Sequence, residues 1–343
     1  MAVPIVFGEG FQVYPTGTTD LGALGRWSSG STVGSIVITG TNAYATSPSL
    51  TKSLGAGGET ALVGLRWRTD QTGSADKEIV ALKDSGGTTR WKLERLGASG
   101  LLRVTREGTP TTLTETNAAL ALGTGADYII EIAARLSGAT GAHGVKVNKS
   151  TQTALTATTT LTARTITQVS FSSGADTRVS WLWIRNGSGA YIASEFLGRL
   201  NRATLRPSSM GDYAGANWGT GILNAIDEPN LDGDVTYAVD ATAPTSVAAD
   251  RFSVYTGGIA GEISSIPFVQ PVVAWKRANA TAATGRIMLS QGTTDSAGSS
   301  ESIGTDYGYA YRTLATDPVG SGAWTNAKIT ATNWGIEALT ITP

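Results

Sequence analysis

The chain holds one histidine, His143, set in Gly141-Ala142-His143-Gly144, and no cysteine. One imidazole builds neither a histidine metal site nor an HExxH helix. Without thiols there are no zinc-thiolate sites, iron–sulfur clusters or disulfides. A Ser-His-Asp triad needs an exposed nucleophile, and no Gly-x-Ser-x-Gly elbow is present. His143 therefore reads as a loop residue where the chain enters a strand over 145–148. Two carboxylates in different protonation states could cleave a glycosidic bond. Glu94, however, stands alone on its strand, and Glu131 faces away from Tyr128, Ile130 and Ile132, so both read as solvated surface acids. Asp227, Glu228, Asp232, Asp234 and Asp240 offer oxygens of the kind that bind calcium, but at a spacing that fits no EF-hand. They read as a polar loop with turn-capping aspartates, and calcium binding over 227–240 is left open. Gly123-Thr124-Gly125 lacks the third glycine of a phosphate loop. No catalytic residue, metal ligand or cofactor is expected.

Aromatic side chains are the remaining candidates, because a flat ring can stack on a sugar or anchor a protein interface. Trp27, Trp67, Trp91, Trp181 and Trp183 lie on alternating runs or beside turns, where core packing is the ordinary use. Tyr213 and Trp218 lie in a glycine-rich loop. Trp181, Trp183, Tyr213 and Trp218 concentrate aromatic area near mid-chain and form the candidate interface or ligand platform.

The elements that position these rings are strands. Ala61, Val63, Leu65 and Trp67 share one face of a run whose Arg66 and Arg68 point the other way. Trp91 and Leu93 alternate with Lys92 and Glu94 in the same manner. Turn compositions at 84–87, 97–100 and 137–141 separate such runs at the spacing of a sandwich or barrel. In Arg178-Val179-Ser180-Trp181-Leu182-Trp183-Ile184, alternation puts Val179, Trp181 and Trp183 on one face and Leu182 and Ile184 on the other. A strand apolar on both faces is expected to be covered on both. A turn at 186–189 and a second strand over 195–205 follow, and the threonine-rich stretch 151–167 reads as two exposed strands. Tyr307, Tyr309 and Tyr311 share a face farther on, and a short helical turn is expected after Trp324. The fold class expected is all-β: a jelly-roll sandwich over 1–194 and a smaller β-sandwich over 195–343.

Composition narrows the function classes. Only 15% of residues are charged and the formal net charge is −1, with no basic block, which argues against a nucleic-acid binder. The start, over residues 1–10, has no signal-peptide pattern, and no apolar run of about 20 residues suggests a membrane span. A surface of Thr, Ser, Gly and Ala keeps docking cheap in desolvation.

The first half resembles concanavalin A-like, laminin-G-type sandwiches, through Gly25-Arg26-Trp27 and the alternating runs that follow it. The second half resembles structural proteins of bacteriophage virions, of the minor tail or decoration type. The matching residues are Phe196-Leu197-Gly198, Leu205-Arg206-Pro207, Gly211-Asp212-Tyr213 with Trp218, the loop from Asp227 to Tyr237, the segment with Asp317, Pro318, Gly320, Ala323, Trp324 and Thr325, and Gly335 to Glu337. An Asp-Asp pair common in that family is replaced here by Trp-Leu-Trp-Ile, and Arg199 stands where Asp is usual. The resemblance implies a non-enzymatic virion component, tail- or baseplate-associated, with a possible share in host-surface adhesion. Its partners would be other virion proteins, further copies of itself (a trimer favoured) and a host surface glycan, with no nucleic acid and no membrane insertion. Its place would be the virion, assembled in the host cytoplasm. The alternatives are a capsid decoration or head-spike protein and, in another class, a carbohydrate-binding or polysaccharide-degrading protein.

Overall fold

The period-2 runs become strands in a computed structural model that describes residues 5–11, 14, 17–24, 26–39, 42–70, 75–106, 113–137, 141–158, 163–172, 174, 176–187, 196–197, 205, 207–210, 248–254, 265–277 and 282–342. The chain divides into two units. One comprises Met1–Phe11, Thr16–Ala23 and Trp27–Arg202; the other comprises Gln12–Pro15, Leu24–Arg26 and Ala203–Pro343. The division expected at 194/195 falls in 188–195, outside the described residues, as do Tyr213, Trp218 and the acidic loop 227–240.

The first unit contains β1 (Ile5–Glu9), β2 (Ser35–Thr39), β3 (Asn42–Thr46), β4 (Ser49–Gly58), β5 (Thr60–Thr69), β6 (Lys77–Lys83), β7 (Thr89–Arg95), β8 (Leu101–Arg106), β9 (Leu113–Ala121), β10 (Tyr128–Arg135), β11 (Ala142–Val147), β12 (Ser150–Thr151), β13 (Ala157–Thr158), β14 (Ile166–Ser172) and β15 (Thr177–Gly187). They form two antiparallel sheets. The first runs β12-β11-β10-β5-β15-β3-β2, with β1 also on β15 and β13 also on β11; the second runs β4-β14-β6-β7-β8-β9. The described part of 151–167 holds the two very short strands β12 and β13 around a single 3-10 turn, Thr153–Leu155, and the first two residues of β14.

Register decides which face is inner. Leu65 and Val63 of β5 stand opposite Ile130 and Ile132 of β10, and Val80 and Leu82 of β6 stand opposite Leu93 and Trp91 of β7. Directly opposed residues share a face, and all eight of these side chains are buried. Trp27 joins the sheets: its ring meets Phe7 of β1 at 5.1 Å and Phe171 of β14 at 6.2 Å, both edge-on. Asn186 of β15 ties them again, its amide donating to the carbonyls of Thr60 (3.2 Å) and Ile166 (3.4 Å). A buried amide so satisfied adds specificity at little cost. The unit is an all-β sandwich.

The second unit contains β16 (Pro207–Met210), β17 (Ala248–Val254), β18 (Val272–Trp275), β19 (Ala282–Gln291), β20 (Thr294–Ala297), β21 (Glu301–Ser302), β22 (Gly308–Tyr311), helix α1 (Asn326–Ala331) and β23 (Asn333–Thr342). One sheet runs β16-β17-β23-β19-β20 with β21 also on β19, and β18 pairs with β22 in another. Its core is Ile287, Leu289, Ala310, Leu314, Trp324, Ile329 and Trp334. Trp324 donates its indole N–H to the Leu314 carbonyl at 3.0 Å and stacks on Trp334 at 5.7 Å. The expected helical turn follows directly, capped by the Thr325 hydroxyl, which accepts from the Lys328 amide at 3.2 Å.

Two N-terminal pieces belong to this second unit. Tyr14 is fully buried with its ring edge-on to Tyr309 at 5.4 Å. The Tyr309 amide donates to the Leu24 carbonyl at 2.9 Å, and the buried Arg26 guanidinium lies 5.2 Å from the Tyr311 ring. Replacing Tyr14 by Ala should therefore loosen residues far along the chain, by about 3 kcal/mol. Hydrogen exchange should speed up over Gly308–Tyr311. Unchanged protection there would mean that Tyr14 is no part of that core.

Candidate functional site

The middle of β15 departs from plain alternation. Its pairing with β5 slips between Ser180 and Trp183, and Trp181 there has φ +52°. A bulky residue in the left-handed region costs roughly 1–2 kcal/mol, and β-bulges re-aim side chains in this way. Val179 opposes the inward Trp67 and Ile184 opposes the inward Val63, whereas Trp183 opposes Gly64 on the outer face. Val179 and Trp183 therefore lie on opposite faces, contrary to the alternation read from sequence. A Cβ on Gly64 would fall 2.2 Å from the Trp183 ring, so this indole rests on bare backbone. It is 2% exposed and is a packing residue.

Trp181 is placed differently. Its indole is half-buried, and the Arg66 guanidinium lies over it, 4.7 Å from the ring centroid. Arg66 is held by Asp127 at 2.5 Å. The same outer face repeats the arrangement on the other side of β15. Arg178 lies over the Tyr44 ring at 4.9 Å and donates to its hydroxyl at 3.3 Å. Arg178 also pairs with Asp70 at 2.9 Å, and Arg68 grips the other oxygen of Asp70 at 2.6 Å. Strands β5, β15 and β3, with Asp127 just before β10 and Asp70 just after β5, thus carry a strip of two rings, each under a guanidinium that an aspartate fixes. Such groups bind and orient. Of the four platform residues named from sequence, the structure puts Trp181 at this strip and Trp183 in packing. Tyr213 and Trp218 lie outside the described residues. Spacing alone does not bring Tyr44, Arg66 and Arg178 to one site, because their meeting depends on pairing between strands distant in sequence.

The outer face of the second sheet holds the other cluster of charge. Glu78 stands directly opposite Glu94 at the centre of that sheet. Glu94 is the one acid of its strand but faces Glu78 on the next, and it is buried, not solvated: it accepts from Lys92 at 2.6 Å and from Arg103 at 3.1 and 3.0 Å. Arg103 also holds Asp76 at 2.8 Å. Burial pushes the Glu78 carboxyl above its ordinary value, with Glu94 adding to the rise against the pull of Lys83 and Lys92. The Gly97 amide, donating at 3.0 Å, holds Asp76 below its ordinary value, with help from Arg103. Glu131, expected to be solvated, is 1% exposed on β10, where it opposes Gly64 and Lys146. His143 is no loop residue: it lies on β11, fully buried, with its ring 6.1 Å from Trp91 of the facing sheet. Among the described residues, no three His, Cys, Asp or Glu side chains meet as a metal site would require.

No family model matches the chain, and no curated protein does. Among solved structures it is similar to domain 4 of AbnA, an extracellular GH43 arabinanase from Geobacillus stearothermophilus. That match has 13% identity and TM-score 0.37, and covers 55% of this chain and 94% of that one. The cellulose induced protein Cip1 matches at 15% identity and TM-score 0.33, over 54% of this chain and 100% of that one. A Trypanosoma rangeli sialidase matches at 11% identity and TM-score 0.38, over 55% of this chain and 32% of that one. The chain spans 18% and 27% of the length of two further sialidases. No residue role is carried over from these proteins.

The two acids predict opposite pH behaviour. A carboxyl raised by folding stabilises only at low pH, and that contribution is lost as pH climbs from the unfolded to the folded pKa. Glu78→Gln should therefore raise stability at pH 7, with the gain vanishing near pH 4. A carboxyl lowered by folding stabilises above its unfolded pKa, so Asp76→Asn should lower stability at pH 7, with no difference once both states are protonated. Urea midpoints across pH would check both signs. Gly64→Ala should cost about 2–3 kcal/mol, because the Trp183 ring has nowhere to go; a neutral result would contradict the stated contact.

Proposed function

We propose that the protein is a non-enzymatic structural component of a bacteriophage virion, tail- or baseplate-associated, working as a homo-oligomer packed against other virion proteins. What carries this reading is the use made of the residues on which the resemblance rests in the second half. Asp317 is buried, and its carboxylate accepts from the amides of Val319 and Gly320, both at 3.0 Å, and from Gln291 at 3.1 Å. Burial pushes that carboxyl up, but these donors hold it below its ordinary value. Trp324 fills the core, and Gly335-Ile336-Glu337 lie on β23, between β17 and β19. Glu337 faces Arg286 in an ion pair. These residues build a module and present no chemistry, as a shared architectural pattern would require.

The first unit supports the same reading. Its buried Glu94 is spent on Lys92 and Arg103, and its histidine is packed in the core. A module repeated many times in a particle gains strength from multiplicity, so its individual contacts need no deep cleft.

Peptide mass spectrometry on purified virions, with antibody labelling seen by electron microscopy, tests the proposal. The expected result is many copies per particle, at the tail or baseplate, and an oligomer in solution. Labelling of the head would favour a decoration role. Absence from particles together with turnover of a polysaccharide would end the structural reading.

A further inference from the structure

We propose that the strip around Trp181 and Tyr44 is a binding site for a hydroxyl-rich pyranose chain. It would supply the adhesive part of the virion reading, but it needs only the first unit and stands or falls by itself. Two half-buried rings lie on one sheet face, on the adjacent strands β15 and β3, which pair at Arg178–Thr46 and Val179–Ala45. Neighbouring strands are about 4.8 Å apart, so both rings fall under one short oligosaccharide. Each ring is fixed by a guanidinium, Arg66 at 4.7 Å and Arg178 at 4.9 Å, and each guanidinium by a carboxylate, Asp127 or Asp70. Sugar rings offer C–H faces for stacking and paired hydroxyls that both donate and accept. Fixed guanidinium and carboxylate groups side by side match such pairs, since one gives only donors and the other only acceptors.

Two features favour this ligand over other classes. A nucleic acid chain would bring its phosphates against Asp127 and Asp70, which offset two of the three guanidinium groups of Arg66, Arg68 and Arg178. The bulge that seats Trp183 on Gly64 puts Trp181 in the strained left-handed region and leaves its ring half-buried beside Arg66, with surface that a ligand can meet.

That strain also supplies the test. Trp181→Gly removes the ring while giving the backbone the residue that prefers φ +52°. The full-length protein would be run by affinity electrophoresis through gels cast with dextran, galactomannan or alginate, at low and at molar salt. Retention by a neutral polymer is expected, little changed by salt, because stacking and hydrogen bonds are screened far less than surface charge pairs. Trp181→Gly should keep or raise the melting temperature yet weaken binding at least tenfold, and Arg66→Ala and Tyr44→Ala should weaken it less. No retention by any neutral polymer would overturn the proposal. Retention by alginate alone that salt abolishes would reveal a mere charge patch, and preferential retention of single-stranded DNA would assign the strip to another ligand. Loss of stability in Trp181→Gly with binding intact would make the ring structural. None of these outcomes bears on whether the protein is found in virions, so the two readings fail separately.

Discussion

The seating of Trp183 on the bare backbone of Gly64 is the contact on which the outer face of the first unit depends. A large indole lies flat on a strand only where the strand beneath has no side chain. Meeting that condition while keeping Val179 and Ile184 on the inner face requires one extra residue between them, and the bulge supplies it. The residue displaced is Trp181. The half-buried ring beside Arg66 is thus the geometric counterpart of the buried ring beside Gly64. One glycine sets both.

The two outer faces of the sandwich treat charge differently. On the second sheet, Glu94 sits among Lys92 and Arg103 with little access to water, and Glu78 opposite it is pressed toward its neutral form. Such a network tolerates no loss of a partner, because the charge left behind would be costly to bury. On the first sheet the pairs Arg66–Asp127 and Arg178–Asp70 keep roughly a third of their side-chain surface. Pairs of that exposure add little stability in water, so their value lies in holding guanidinium groups still above the rings.

Strand alternation made much of the fold legible before any coordinates. Ala61 to Trp67 and Trp91 to Leu93 point as their periodicity says, and the helix after Trp324 starts at its threonine cap. Period 2 fails where a residue is inserted, which is why Trp181 and Trp183 could not be placed from spacing alone. It also says nothing about which strand lies next to which. Glu78 and Glu94 are 16 positions apart in sequence yet opposed in register. Asp127 and Arg66 meet across β10 and β5, and His143 meets Trp91 across the sandwich. Site chemistry in this chain is written in strand order, which depends on the whole core.

The second unit includes Gln12–Pro15 and Leu24–Arg26, threaded into it from the start of the chain. Its inheritance is accordingly not that of a detachable cassette. A genetic crossover between the coding regions of the two units would deliver a second unit lacking Tyr14, Leu24 and Arg26, with holes beside Tyr309 and Tyr311. Recombination that keeps the second unit whole must carry the codons for residues 12–15 and 24–26 together with those for 203–343. The stitching makes a two-unit protein a single unit of descent.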